Sequence, residues 1–144
     1  MTRVLIDVNV VLDVLADREP FAEDSAAVLG EVEAGNLDGY LAAHTVTTLH
    51  FLLAKHLGRA RTRRALSDLL SLVRLVPVDE DRIHHALAAN WKDFEDAVQA
   101  ACAEKEGVDY LVTHNKSDFR KSAIKAVTPA ELLALLPLPP SNAA

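Results

Sequence analysis

A single cysteine, Cys102, serves the whole chain of 144 residues, so no internal disulfide can form. That economy fits a reducing compartment. Long hydrophobic runs are missing too. No apolar stretch approaches the roughly 20 residues that a membrane-crossing helix needs. The opening MTRVLIDVNVVLDVL lacks the basic-then-apolar pattern of a secretory leader. A cytoplasmic location without membrane attachment is therefore expected. Positive charge is in deficit, with 15 Lys and Arg against 21 Asp and Glu and a net charge of −6. This argues against a protein that coats nucleic acid through its overall field, although a local basic patch stays open. No Ser or Cys nucleophile motif, internal repeat or linker is found. Zinc is disfavoured: with one cysteine there is no cysteine-based site, and His44, His50 and His56, six apart, do not share a helical face.

What is present fits one domain. Half of the residues are apolar and a quarter charged, enough for a real core. We expect a single domain over 1–137 and a flexible Pro-rich tail over 138–144. Short aliphatic runs at 3–6, 40–43, 73–78, 109–113 and 124–127 read as strands. Helical patterns separate them at 21–34, 45–57, 59–72, 80–89 and 94–106, and a last helix starts at Thr128-Pro129. This alternation predicts an α/β sandwich around a mostly parallel sheet. In such sheets ligands bind beyond the carboxyl ends of the strands, where strand order reverses. Asp7, just past the first strand, sits at such an end.

Three segments carry acid or amide groups. The first is VLIDVNVVLD, with Asp7 and Asn9. The second is KDFEDAVQAACAEKEG. There Phe94, Ala97, Val98, Ala101 and Cys102 recur at helical spacing and form a core face. Asp93 and Asp96 share a side away from that stripe, and Glu95 is expected to point elsewhere. The third is YLVTHNKSDF, a buried strand followed by Asn115 and Asp118. Converging carboxylates repel one another, and burial raises their pKa values. A hard divalent cation offsets both costs, activates water and stabilises charge on a phosphodiester. Taken singly, each segment also has a plainer reading. Asp7 and Asp93 suit helix caps, and Asn115 with Asp118 suits a turn.

In order and spacing these motifs resemble the PIN domain family. The similarity runs from LIDVNVVLDVL through DREPFAEDS, DFEDAVQAA and YLVTHNKSDF to TPAELL. The resemblance implies a three-layer α/β/α fold and a Mg²⁺- or Mn²⁺-dependent endoribonuclease acting on single-stranded RNA. It further implies the toxin of a toxin–antitoxin pair, restrained by a protein antitoxin. By position, Asp7 and Asp96 resemble the family's metal ligands, with Asp118, Asn115 and Asp93 completing the catalytic pocket. Two departures stand out. The expected Thr-x-Asp reads Thr113-His114-Asn115. The helix after strand two, AHTVTTLHFLLAKHLG, has no acid, and Thr48 or His50 lies near where a Glu is expected. Fewer charges mean weaker metal binding, which Asp93 would have to compensate.

Asn9, Thr113, Lys116, Arg61 and Arg64 are candidate RNA contacts, the last two from the basic run Arg59 to Arg64. A solvated helix face is the plainer reading of that run. Likewise His114 is expected at the surface. Phe51, Leu52 and Leu53 are expected in the core, with a homodimer or antitoxin surface as the alternative. Two other functions compete: a catalytically silent PIN-like module that binds RNA or protein, and a receiver-type phosphotransfer domain. Against the second, no separate acceptor Asp ends a middle strand and no Lys ends a later one.

Overall fold

A computed structural model describes residues 1–137, and the tail expected at 138–144 lies outside the described residues. The chain begins with β1 (Thr2–Ile6), α1 (Val8–Leu15) and α2 (Ala22–Glu33), followed by β2 (Leu37–Ala42), α3 (Ala43–Leu57) and α4 (Arg59–Leu70). It continues with β3 (Arg74–Val76), α5 (Glu80–Ala89), α6 (Phe94–Glu106) and β4 (Tyr110–Val112). A short 3₁₀ turn (Lys116–Phe119), β5 (Lys125–Val127) and α7 (Pro129–Leu135) complete it. The elements are those expected, with α1 now resolved as a separate helix. The third strand is shorter than the apolar run at 73–78 suggested.

All strand pairs are parallel, in the order β3-β2-β1-β4-β5. The chain builds outward from β1 to β3 on one side, then crosses to place β4 and β5 on the other. Strand order therefore reverses between β1 and β4, which is where a crevice opens in such folds. Side chains alternate across the sheet as the pleat requires. Val4, Ile6, Leu41 and Val112 face a core built with α1, α2, α3, α4 and α7. Leu5, Ala42, Val76 and Leu111 face a second core against α5 and α6. This is a three-layer α/β/α sandwich. No described helix is long and apolar enough to cross a membrane.

Local signals end the helices where the sequence places them. Gly35, Gly58 and Gly107 follow α2, α3 and α6 with φ of 82°, 77° and 70°, a region that disfavours side chains with a Cβ. The start of α7 carries a full capping box: Thr128 accepts from the Glu131 N–H, and Glu131 accepts from the Thr128 N–H.

Two expectations about the core fail. Leu49 and Leu53 are buried, but Phe51 is 62% and Leu52 37% exposed, since the consecutive residues Phe51, Leu52 and Leu53 cannot all face one side of a helix. Phe94, at the first position of α6, is 44% exposed and takes no part in the core stripe that Ala97, Val98, Ala101 and Cys102 form.

Leu111 is fully buried in the central sheet. Leu111→Ala is expected to cost about 2–5 kcal/mol of unfolding free energy, measured by urea denaturation. A loss below about 1 kcal/mol would contradict this packing.

Candidate active site

At the carboxyl end of β1 the backbone of Asp7 continues the sheet, its N–H donating to the Val112 carbonyl at 2.9 Å. Its side chain is 3% exposed. Such burial disfavours a charged carboxylate, and it pushes the Asp7 pKa upward. Two donors limit that cost. The Gln99 amide donates to one oxygen at 2.7 Å, and the Thr113 hydroxyl to the other at 2.9 Å. Thr113 follows β4 and Gln99 lies on α6, so both edges of the crevice meet on Asp7.

The same Gln99 nitrogen lies 3.1 and 3.3 Å from the two oxygens of Glu95, one helical turn back. Both neighbours are acceptors, which fixes the amide with its nitrogen toward them and leaves its buried oxygen unpartnered. His44, near the start of α3, meets Glu95 at 3.1 Å through Nε2. Glu95 thus does not point elsewhere, as its place in the periodicity suggested. Its carboxylate is held between His44 of α3 and Gln99 one turn further along α6. The α3 residue that reaches the acids is His44. The Thr48 hydroxyl turns back to the His44 carbonyl at 3.4 Å.

Asp93 caps α6, accepting from the Asp96 N–H at 3.1 Å. Asp93, Glu95 and Asp96 each bring a carboxylate oxygen within 4.8 Å of the others. Asp96 responds most strongly: its pKa is pushed up to about 7 by desolvation, then by the charges of Asp93, Asp7, Glu95 and Asp118. Exposed Asp118 lines the same open cleft of about 770 Å³, together with Asp93, Glu95 and Asp96. Asn115 is exposed at the start of the 3₁₀ turn, and its N–H donates to the Thr113 hydroxyl oxygen at 3.0 Å.

The structure therefore gathers Asp7, Asp96, Asp118 and Asp93 and adds Glu95 and Gln99. All the acidic donors are hard oxygens, and their crowding raises the cost of their own charge. Such a donor set suits a divalent cation of the Mg²⁺ or Mn²⁺ kind.

The expected RNA contacts fare unevenly. Thr113 is fully buried against Asp7, so its side chain is not a surface for RNA. Lys116 pairs with Glu131 at 2.9 Å. Arg61 and Arg64 are exposed on α4, but neither lines the cleft. Asn9 gives its carbonyl to Arg18 at 3.3 Å.

A second polar network lies behind the site. Asp13 on α1 is 2% exposed. It pairs with Arg18 at 3.0 Å and with His114, and the Ser25 hydroxyl sits 3.5 Å from it. Ser25 also meets His114 at 3.3 Å, and the His114 ring stacks on Phe21 at 4.3 Å between centroids. His114 is thus not a free surface residue. It clamps the segment after β4, and with it Thr113, to the α1–α2 connection. No local pattern announces a contact between residues 101 positions apart, although the buried polar Asp13 within the apolar run of α1 was a visible anomaly.

A family model described as "PIN domain" matches residues 3–117. Ribonuclease VapC1 of Aquifex aeolicus (strain VF5) is 23% identical over 134 residues, covering 90% of this chain and 92% of that protein. Among solved structures, FitAcB from Neisseria gonorrhoeae superposes with a TM-score of 0.66 at 24% identity, over 88% of this chain and 98% of that one. VapBC2 from Rickettsia felis, bound to a DNA fragment from its promoter, gives 0.68 at 15% identity over 88% and 98%.

Two outcomes follow from this geometry. Folded Asp96 keeps its proton up to about pH 7, whereas in the unfolded chain the ordinary value is 3.8. Between those values the folded state binds more protons, so metal-free stability falls as pH rises from about 4 to about 7. Asp96→Asn should flatten that fall and leave the variant more stable than the parent at pH 8, read as thermal midpoints in chelator. An unchanged slope would contradict the assignment. Asp13→Ala leaves His114 and Ser25 without their buried acceptor and should cost about 1–3 kcal/mol by urea denaturation. Ser25→Ala should cost only about 1 kcal/mol.

Proposed function

The chain belongs to the PIN domain family, and from that premise we propose that it is a metal-dependent endoribonuclease acting as the toxin of a toxin–antitoxin pair. The observation that carries this reading is the carboxylate cluster of Asp93, Glu95 and Asp96, in which Asp96 also feels the charge of Asp7 at the reversal point of the sheet and has its pKa pushed up to about 7. The relative named as a ribonuclease and a structural neighbour titled a toxin–antitoxin complex from Klebsiella pneumoniae, with a TM-score of 0.67 at 24% identity over 88% of this chain and 97% of that one, support it.

The residues divide the work by position. Asp7, Asp96 and Glu95 would hold Mg²⁺ or Mn²⁺, and Asp118 and Asp93 would add negative charge at the rim. When bound, such an ion supplies an activated water and neutralises charge on the phosphodiester. Gln99 and Thr113 aim Asp7 and favour its charged form, since each donates a hydrogen bond to it. His44 and Gln99 together hold Glu95 over the crevice, and Glu95 replaces the acid that α3 lacks. Asn115 is left to orient substrate or water at the rim. The reaction is hydrolysis: water adds to phosphorus, one P–O ester bond breaks, and the leaving ribose oxygen takes a proton. No enzyme-linked intermediate is involved.

Antitoxin binding would shield this site. Exposed Phe51 and Leu52 on α3 suit a protein contact, either with that antitoxin or with a second copy of this chain.

Cleavage of a mixed single-stranded RNA by purified protein tests the reading. Cutting should require Mn²⁺ or Mg²⁺ and stop in chelator. Asp7→Asn, Asp96→Asn and Glu95→Gln should each lower the rate by about 100-fold or more. Glu95→Gln at the parent rate would remove Glu95 from the site. Metal-independent cutting, or full activity in Asp7→Asn, would sink the proposal.

A further inference from the structure

One wall of the cleft is left unused by the acids. Phe94 lines it with 44% of its surface exposed, immediately beside Glu95. Half-buried Trp91 lines it too, held by an edge-to-face contact with buried Phe119 at 6.1 Å and 70°. Lys92, Arg120 and Lys121 complete this wall, all exposed. Among the described residues none of the three cations forms an ion pair, although the chain carries a net charge of −6 and four acids line the same cleft. Arg120 is steadied by a hydrogen bond from Nε to the Ser117 carbonyl at 3.2 Å, which leaves its remaining N–H groups free. Free cations, carboxylates and flat apolar rings lining one cleft match one kind of ligand. It alternates phosphate charge with planar bases that are not already stacked in a duplex.

We propose that Phe94 and Trp91 form a stacking platform for one unpaired nucleobase next to the scissile phosphodiester, with Lys92, Arg120 and Lys121 taking the neighbouring phosphate. This rests on the ribonuclease reading of the same cleft and adds to it the two rings that would hold a base. Stacking accepts any base, since each has a π face, so the platform selects strandedness and leaves sequence to other contacts. An unstacked base is needed on the ring, and a duplex keeps its bases inside.

Trp91 is the chain's single tryptophan and reports on the platform directly. The test uses the full chain carrying Asp96→Asn, in metal-free buffer, which stops turnover and removes one negative charge. A mixed-sequence single-stranded RNA hexamer should quench Trp91 fluorescence, and the matching duplex should bind at least about tenfold more weakly. Adding Phe94→Ala should weaken hexamer binding about tenfold, and Phe94→Tyr should restore it. Arg120→Glu should lower affinity and flatten its salt dependence. Phe94 is exposed, so these variants should keep the parent circular dichroism spectrum. No quenching by the hexamer, equal affinity after Phe94→Ala, or equal quenching by inorganic triphosphate would overturn the platform. Equal affinity after Phe94→Ala would leave the two rings as a protein contact. The two readings fail separately. Hexamer bound on Phe94 but never cut by the parent with Mn²⁺ defeats the nuclease alone. Metal-dependent cutting that ignores Phe94→Ala defeats the platform alone.

Discussion

A carboxylate buried at the reversal point of a parallel sheet is the constraint on which this structure turns. Asp7 is 3% exposed, and burial pushes its pKa up, so its charge needs help there. The fold supplies that help from both flanks, through Gln99 of α6 and Thr113 after β4. Each donor then recruits the next group. Gln99 holds Glu95, and Thr113 accepts from the Asn115 N–H. The parallel sheet makes this convergence possible, because all its strands deliver their carboxyl ends to one edge.

The cluster is electrostatically unfavourable by itself. Burial and four neighbouring carboxylates lift the Asp96 pKa to about 7. Folding here retains a locally strained charge arrangement, which is common where a site is built to bind an ion of opposite sign. The rest of the molecule offsets it with two cores packed on the faces of the sheet. The Asp13–His114–Arg18 network ties the segment that carries Thr113 to the first helices. That tie keeps a donor of Asp7 in place without touching the acids.

Much of this was legible in the sequence, because it is written locally. An aliphatic run followed by Asp7 marks a strand end, and Gly35, Gly58 and Gly107 stop their helices. Asp93 and Thr128 cap the helices that follow them, and strand-helix alternation gives the parallel sheet. The remainder depends on reach and on distant contacts. Periodicity places Cβ atoms, but it does not show that the Glu95 carboxylate is held between His44 and Gln99. The His44–Glu95 contact joins residues 51 apart in sequence, and Asp13–His114 joins residues 101 apart. Phe51 and Phe94 were read as core because apolar character alone does not say which rings the fold leaves in water. The missing acid of α3 was a real absence, and what periodicity did not show is that Glu95 of α6, clustered with Asp93 and Asp96, lies against His44 of α3.

The most direct test of this account is the effect of metal on stability at pH 8. If Asp7, Glu95 and Asp96 crowd their charges in order to hold a divalent cation, millimolar Mn²⁺ should raise the thermal midpoint of the parent above its value in chelator. Asp96→Asn should start higher in chelator and gain little from the metal. Equal midpoints with and without Mn²⁺ in the parent, or an undiminished gain in Asp96→Asn, would contradict it.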